Sequence, residues 1–148
     1  MLVWLAIAAA QPTFTPAEQA VISALSTRDA PPPCAAIEAS TPAPPEGWSR
    51  AWARVADVYD GVPWVSVRAA SCLMLRADVV AEDAALRWLA APDTAGLADV
   101  VLSAIDRVAP TPATTRLARA AIAGPHAALA HRRLAASPQP ALRALAIP

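Results

Sequence analysis

Prolines open helix-sized pieces of this chain at regular intervals. Pro33, Pro63, Pro92 and Pro125 are separated by 30, 29 and 33 residues, and the pieces between them begin near residues 46, 79 and 112, again 33 and 33 apart. Proline lacks a backbone N–H and is tolerated at the first position of a helix but not inside one, so a chain cut this often builds only short helices. Forty alanines beside a single Phe, a single Tyr and no Asn favour helix over sheet, because β-branched and aromatic residues are scarce. Gly47, Gly61, Gly96 and Gly124 are all isolated, which excludes a phosphate-cradling loop and a dinucleotide fingerprint. With 148 residues the chain is one ordinary domain.

Local signals place the helices. Thr15-Pro16-Ala17-Glu18 combines a capping hydroxyl, a proline at the first helical position and a carboxylate three residues after the cap. It predicts a helix over 16–26 with an apolar stripe of Ala17, Ala20, Val21, Ala24 and Leu25. The proline clusters then predict helices over 33–40, 45–58, 63–75, 79–90, 93–108, 112–122, 125–136 and 139–146. Trp48, Trp52, Val55 and Tyr59 share one face of the third of these nine helices; Leu97, Val101, Ala104 and Val108 share one face of the sixth. Asp83 and Arg87 stand at i and i+4 on the fifth, in the favoured order for an exposed ion pair.

A single apolar stripe per helix pair cannot be covered within the pair, so the period implies an all-α fold in which pairs stack as a short right-handed α-solenoid. Residues 11–30 read as an N-terminal capping helix and 31–148 as the repeat domain. The segment from Pro63 to Leu73 (PWVSVRAASCL) resembles the first helix of HEAT-like repeats of the phycobilisome-lyase type, whose pattern runs from a proline through Val-Arg and alanines to a leucine. Ala91-Pro92-Asp93 with Leu97, Leu102 and Ile105 is similar to a second copy, and Gly124-Pro125-His126 with Leu129 and Leu134 to a third, although neither keeps the Val-Arg pair. The resemblance covers about residues 31–146 and implies a scaffold for protein contacts, with catalysis in only a few members.

Met1 to Ala10 is a continuous apolar run ending in three alanines, which resembles a secretory signal peptide although it lacks a basic residue before the apolar segment. The alternative is a helical turn that packs on the domain. The run is too short to span a bilayer, and no later stretch is better suited. Two cysteines, Cys34 and Cys72, fit an exported chain if they pair; otherwise they are two buried thiols. Export to the periplasm or beyond is the expected localisation, with the cytoplasm as the alternative.

Little in the sequence points to catalysis. His126 and His131 lie five residues apart on one predicted helix, about 140° round its axis, and so do not chelate one metal. No serine stands in a nucleophile-elbow context, and Asp57, Asp60, Glu82 and Asp83 fall at helix ends or on polar faces. Neither metal nor cofactor is expected, and no enzymatic activity. Trp64, just after Pro63, reads either as core or as an aromatic anchor for a partner. All twelve bases are arginine: residues 1–106 hold six arginines and all twelve acids, whereas residues 107–148 hold six arginines and no acid. Arg116, Arg119, Arg132, Arg133 and Arg143 therefore form a candidate basic surface for a polyanion such as anionic lipid, glycan or nucleic acid. The leading expectation is a non-enzymatic protein-binding scaffold, with polyanion binding the alternative.

Overall fold

A computed structural model describes residues 12–147, and among these the chain is all-helical, with nine helices and no strand. They are α1 (Pro16–Leu25), α2 (Cys34–Ser40), α3 (Trp48–Val58), α4 (Pro63–Arg76), α5 (Val79–Ala90), α6 (Ala95–Ile105), α7 (Pro112–Ala123), α8 (Ala127–Ala135) and α9 (Pro140–Leu145). The apolar run of residues 1–10 lies outside the described residues.

Local chemistry sets most of the ends. Proline opens α1, α4, α7 and α9. The Thr15 and Glu18 side chains each accept a backbone N–H at 3.2 Å, closing the capping box at α1, and Thr111 and Thr114 form a second box at α7. The Asp78 carboxylate caps α5 by accepting the Ala81 N–H at 2.9 Å. Helix α4 stops at Ala77, a left-handed residue with φ of 51°. Helix α6 ends at Ile105, three residues before the expected Val108, because Asp106–Val108 turns into Ala109-Pro110 and a residue before proline resists the helical region.

Packing follows two rows. Helix α4 lies on α6 and α6 on α8, while α3 lies on α5, α5 on α7 and α7 on α9; within each sequential pair α3 meets α4, α5 meets α6 and α7 meets α8. Helix α1 covers the start of both rows, against α3 and α4. The core runs unbroken between the rows through Trp52, Val65, Leu73, Leu89, Leu102, Leu117, Leu134 and Leu142. Ala69, Ala70, Ala84, Ala85, Ala98, Ala118, Ala121 and Ala130 are completely buried between these large side chains, so alanine spaces the helices as well as forming them.

Two stripes differ from expectation. In α6 the inner face is Ala98, Val101, Leu102 and Ile105, at i, i+3, i+4 and i+7, and Val108 is 44% exposed beyond the helix end. In α1 the inner face takes Glu18 and Ile22 in place of Ala20 and Ala24, a one-residue rotation that brings the cap carboxylate into the interior. Asp83 is exposed, and Arg87 turns instead to Asp57 on α3.

Gly124 permits a close approach between helix pairs. A Cβ there would stand 2.7 Å from the Leu89 carbonyl oxygen and 3.1 Å from that of Ala120. Beside it, the His126 Nε2 lies 2.6 Å from the Ala91 carbonyl oxygen, so a side chain of the α7–α8 turn is tied to the backbone at the end of α5. Gly124→Ala is therefore expected to destabilise the fold by about 1–3 kcal/mol through overpacking. Gly96→Ala, where the new methyl would sit 3.8 Å from Val67 at ordinary van der Waals distance, is expected to be neutral or to stabilise by about 0.5 kcal/mol. Urea denaturation of the two variants checks both signs.

Candidate functional site

The surface is organised by ion pairs that join each helix pair to the one before. Glu18 accepts from Arg54 at 2.6 Å, Glu38 from Arg76 at 3.0 Å, Asp57 from Arg87 at 3.0 Å and Glu82 from Arg116 at 2.8 Å; Asp99 accepts from Arg133. Partners are 30 to 38 residues apart, about the spacing of the prolines. In every one of these long-range pairs the acid comes first in the chain and the arginine later. The Trp88 and Ser137 side chains follow the same direction, donating to Asp57 and Asp106 at 2.6 Å, whereas the Ser49 hydroxyl runs the other way and donates to Asp78. The charge segregation runs the same way, since residues 107–148 supply arginines to upstream acids and carry no acid of their own.

Most of these pairs are solvent-exposed, and such pairs contribute about 0–1 kcal/mol each, so they specify register more than they stabilise. Glu18 differs because it is 1% exposed. Arg54 binds it while donating to the Thr13 carbonyl at 2.6 Å and lying 5.1 Å from the Phe14 ring centroid. At the α4–α5 junction, burial works to raise the Asp78 carboxyl. Hydrogen bonds from the Ser49 hydroxyl and the Ala81 amide, with the Arg76 guanidinium nearby, outweigh it and hold the group below its ordinary 3.8. The hydrogen bond and charge of Arg116 likewise lower Glu82.

The sequence-predicted residues do not form one constellation. Trp64 is half-buried, with its indole N–H donating to the Ser26 carbonyl at 3.3 Å and the Arg68 guanidinium 5.9 Å from its ring centroid. Arg68 donates to the carbonyls of Leu25 and Thr27, so Trp64 and Arg68 together hold the end of α1. Arg116 and Arg119 flank a shallow cleft with Pro110 and Pro112, but Arg116 is committed to Glu82. Arg133 is committed to Asp99, and Arg143 donates to the Ser137 carbonyl at 2.8 Å. Arg119 and Arg132 are exposed and make no ion pair among the described residues. Cys34 and Cys72 meet at disulfide distance, with Sγ–Sγ 2.01 Å and Cα–Cα 5.6 Å. No group of three or more metal-ligating side chains occurs among the described residues.

Sequence reasoning missed an apolar trough on the α4–α6 side. Two adjoining hollows of about 210 and 250 Å³ share Met74, Ala77, Ala104 and Val108. One is closed beneath by Ile105 and Leu117; the other opens past Leu75 and Val100 to Arg107. Leu75 is 73% exposed. It follows buried Leu73 by two residues, about 200° round the helix, so the pattern itself required one of the two to face outward. Arg107 is exposed and makes no ion pair among the described residues, which leaves a cation at the open end of the trough.

No protein-family model matches the chain, and no curated protein or solved structure is significantly similar to it. No helix among the described residues is long and apolar enough to cross a membrane.

The Asp78 shift has a definite sign. Its folded pKa lies below the unfolded value, so the carboxylate contributes its full stability above about pH 3.8 and loses it as the pH falls through the lower folded value. Urea midpoints measured from pH 6 to pH 2 are expected to fall less steeply for Asp78→Asn than for the unaltered protein. Parallel slopes would show that the carboxylate carries no pH-linked stability.

Proposed function

We propose that the chain is a non-enzymatic protein-binding scaffold, a short right-handed α-solenoid of degenerate HEAT-like helix pairs that works outside the cytoplasm. The observation that carries this reading is the open trough along α4 and α6, an apolar floor with the exposed Leu75 on one side and, at its end, Arg107, which makes no ion pair among the described residues, while Asp99 in the same lining is taken by Arg133. Its complement is a segment of a partner protein with one or two apolar side chains followed by a carboxylate. The stacking itself is supported by the two rows of helices and by ion pairs that recur at nearly the proline spacing. Export is supported by the Cys34–Cys72 pair, which an oxidising compartment would maintain.

A second reading is polyanion binding by the last helices. It is favoured by Arg119 and Arg132, which make no ion pair among the described residues, and weakened by the commitment of Arg116 and Arg133 to upstream acids.

One experiment separates the two. Peptides selected from a random displayed library by the intact protein are expected to share an apolar-acidic motif. They should lose at least tenfold in affinity to Leu75→Asp and to Arg107→Glu, while Arg132→Ala/Arg133→Ala leaves them unchanged. Loss on the α8 variant alone, together with heparin binding that weakens steeply between 50 and 200 mM salt, roughly the range over which phosphate contacts are screened, would favour the second reading. Selected peptides indifferent to all three changes would remove the trough from consideration.

A further inference from the structure

Between α1 and α3 the chain runs through residues 26–47, a stretch with six prolines and only one short helix. From residue 30 onward only Ile37 and Pro44 are buried. Helix α2 has seven residues and no side-chain cap, and helices of that length do not persist on their own. What fixes it is a small set of ties to α3 and α4. Ile37, 3% exposed, belongs to the same core cluster as Trp52 and Cys72. The Glu38 carboxylate accepts from the Trp52 indole at 2.9 Å and from Arg76 at 3.0 Å. Cys34 is joined to Cys72.

The cysteine pair is reachable. Cys34, Cys72, Glu38, Leu75 and Arg76 line a cleft on the surface, where Cys34 is half-exposed and Cys72 is 3% exposed. An incoming thiolate therefore meets the Cys34 sulfur first.

We infer that residues 30–47 are a redox-released strap: reduction of Cys34–Cys72 by a dithiol detaches α2 while the α3–α9 body stays folded. The thiolate of the dithiol attacks Cys34 Sγ, forming a mixed disulfide, and the Cys34–Cys72 bond breaks as Cys72 leaves as a thiolate and takes a proton from water. The second thiol of the reagent then attacks the mixed disulfide and releases Cys34. The pair has gained two electrons and two protons, and the dithiol has become its own disulfide. With the link gone, the buried Ile37 and Pro44 and the Glu38 carboxylate are left to hold a proline-rich segment whose backbone freedom is restored. Release uncovers the indole edge of Trp52 and the Cys72 side of α4. Leu75 lines both this cleft and the α4–α6 trough, so the surface laid bare is continuous with the trough. The release itself does not depend on what the trough binds.

The test is hydrogen–deuterium exchange of the intact protein with and without dithiothreitol, supported by the Cys34→Ser/Cys72→Ser variant. The expected result is at least tenfold faster exchange of amides 35–40 in both reduced and variant protein, with α4 to α8 unchanged. Unchanged exchange in α2 would show that Ile37 and Glu38 suffice and would overturn the inference. Faster exchange throughout would overturn it as well, by making the bridge a staple of the whole fold. Brief treatment with glutathione, followed by acid trapping and peptide mass analysis, should place the adduct on Cys34; an adduct on Cys72 would contradict the order of attack.

Discussion

Among the described residues the helix pairs share one continuous apolar core. Leu73 on α4, Val55 on α3 and Leu102 on α6 all belong to it, and each of these helices packs both on its partner in the pair and on a helix of a neighbouring pair. Each large aliphatic side chain buried in this fashion contributes about 1.5–3 kcal/mol, so stability accumulates along the chain and does not reside in one central knot. The recurrent completely buried alanines make this possible, because side chains of that size let neighbouring helices approach closely, and at Gly124, against the Leu89 carbonyl, the approach is closer than even a methyl group allows.

Burial alone does not decide how far one pair slides along the next. An alanine-rich interface is smooth, and several offsets would bury similar area. The carboxylate-to-arginine contacts remove that freedom: Asp57 reaches both Arg87 and Trp88 on α5, and an offset of one turn would part them all. Weak individually, these contacts matter because they recur at each junction with the same polarity. Arg68 performs a related task through backbone carbonyls, tying the end of α1 to the body.

Much of the helix layout was legible because its causes are local. A proline at the first helical position, a Thr-x-x-Glu box and a residue preceding proline act within four residues, and helix positions read from them agree with the structure to within about three residues. What was not legible depends on the offset between pairs. The burial of Glu18 could not be read from its role as a cap, since the same carboxylate accepts both the Thr15 N–H and the Arg54 guanidinium, more than thirty residues away. Spacing left the two cysteines open, as 38 residues fixes no geometry. The acid-free tail was visible as composition, yet its meaning was not: Arg116 and Arg133 look free in sequence and are spoken for by acids more than thirty residues upstream. Leu75 was hidden for the opposite reason, as one more leucine in a leucine-containing helix.

The one-way polarity of those contacts also sets where the protein can be lengthened. A copy of the middle helices inserted internally would bring carboxylates for its follower and guanidinium groups for its predecessor, and would join the existing order without a seam. The same copy appended after α9 would offer its arginines to a segment that has only arginines of its own, so like charge would confront like at the junction. The direction of these contacts thus decides which junctions accept a further helix pair and which would set like charge against like.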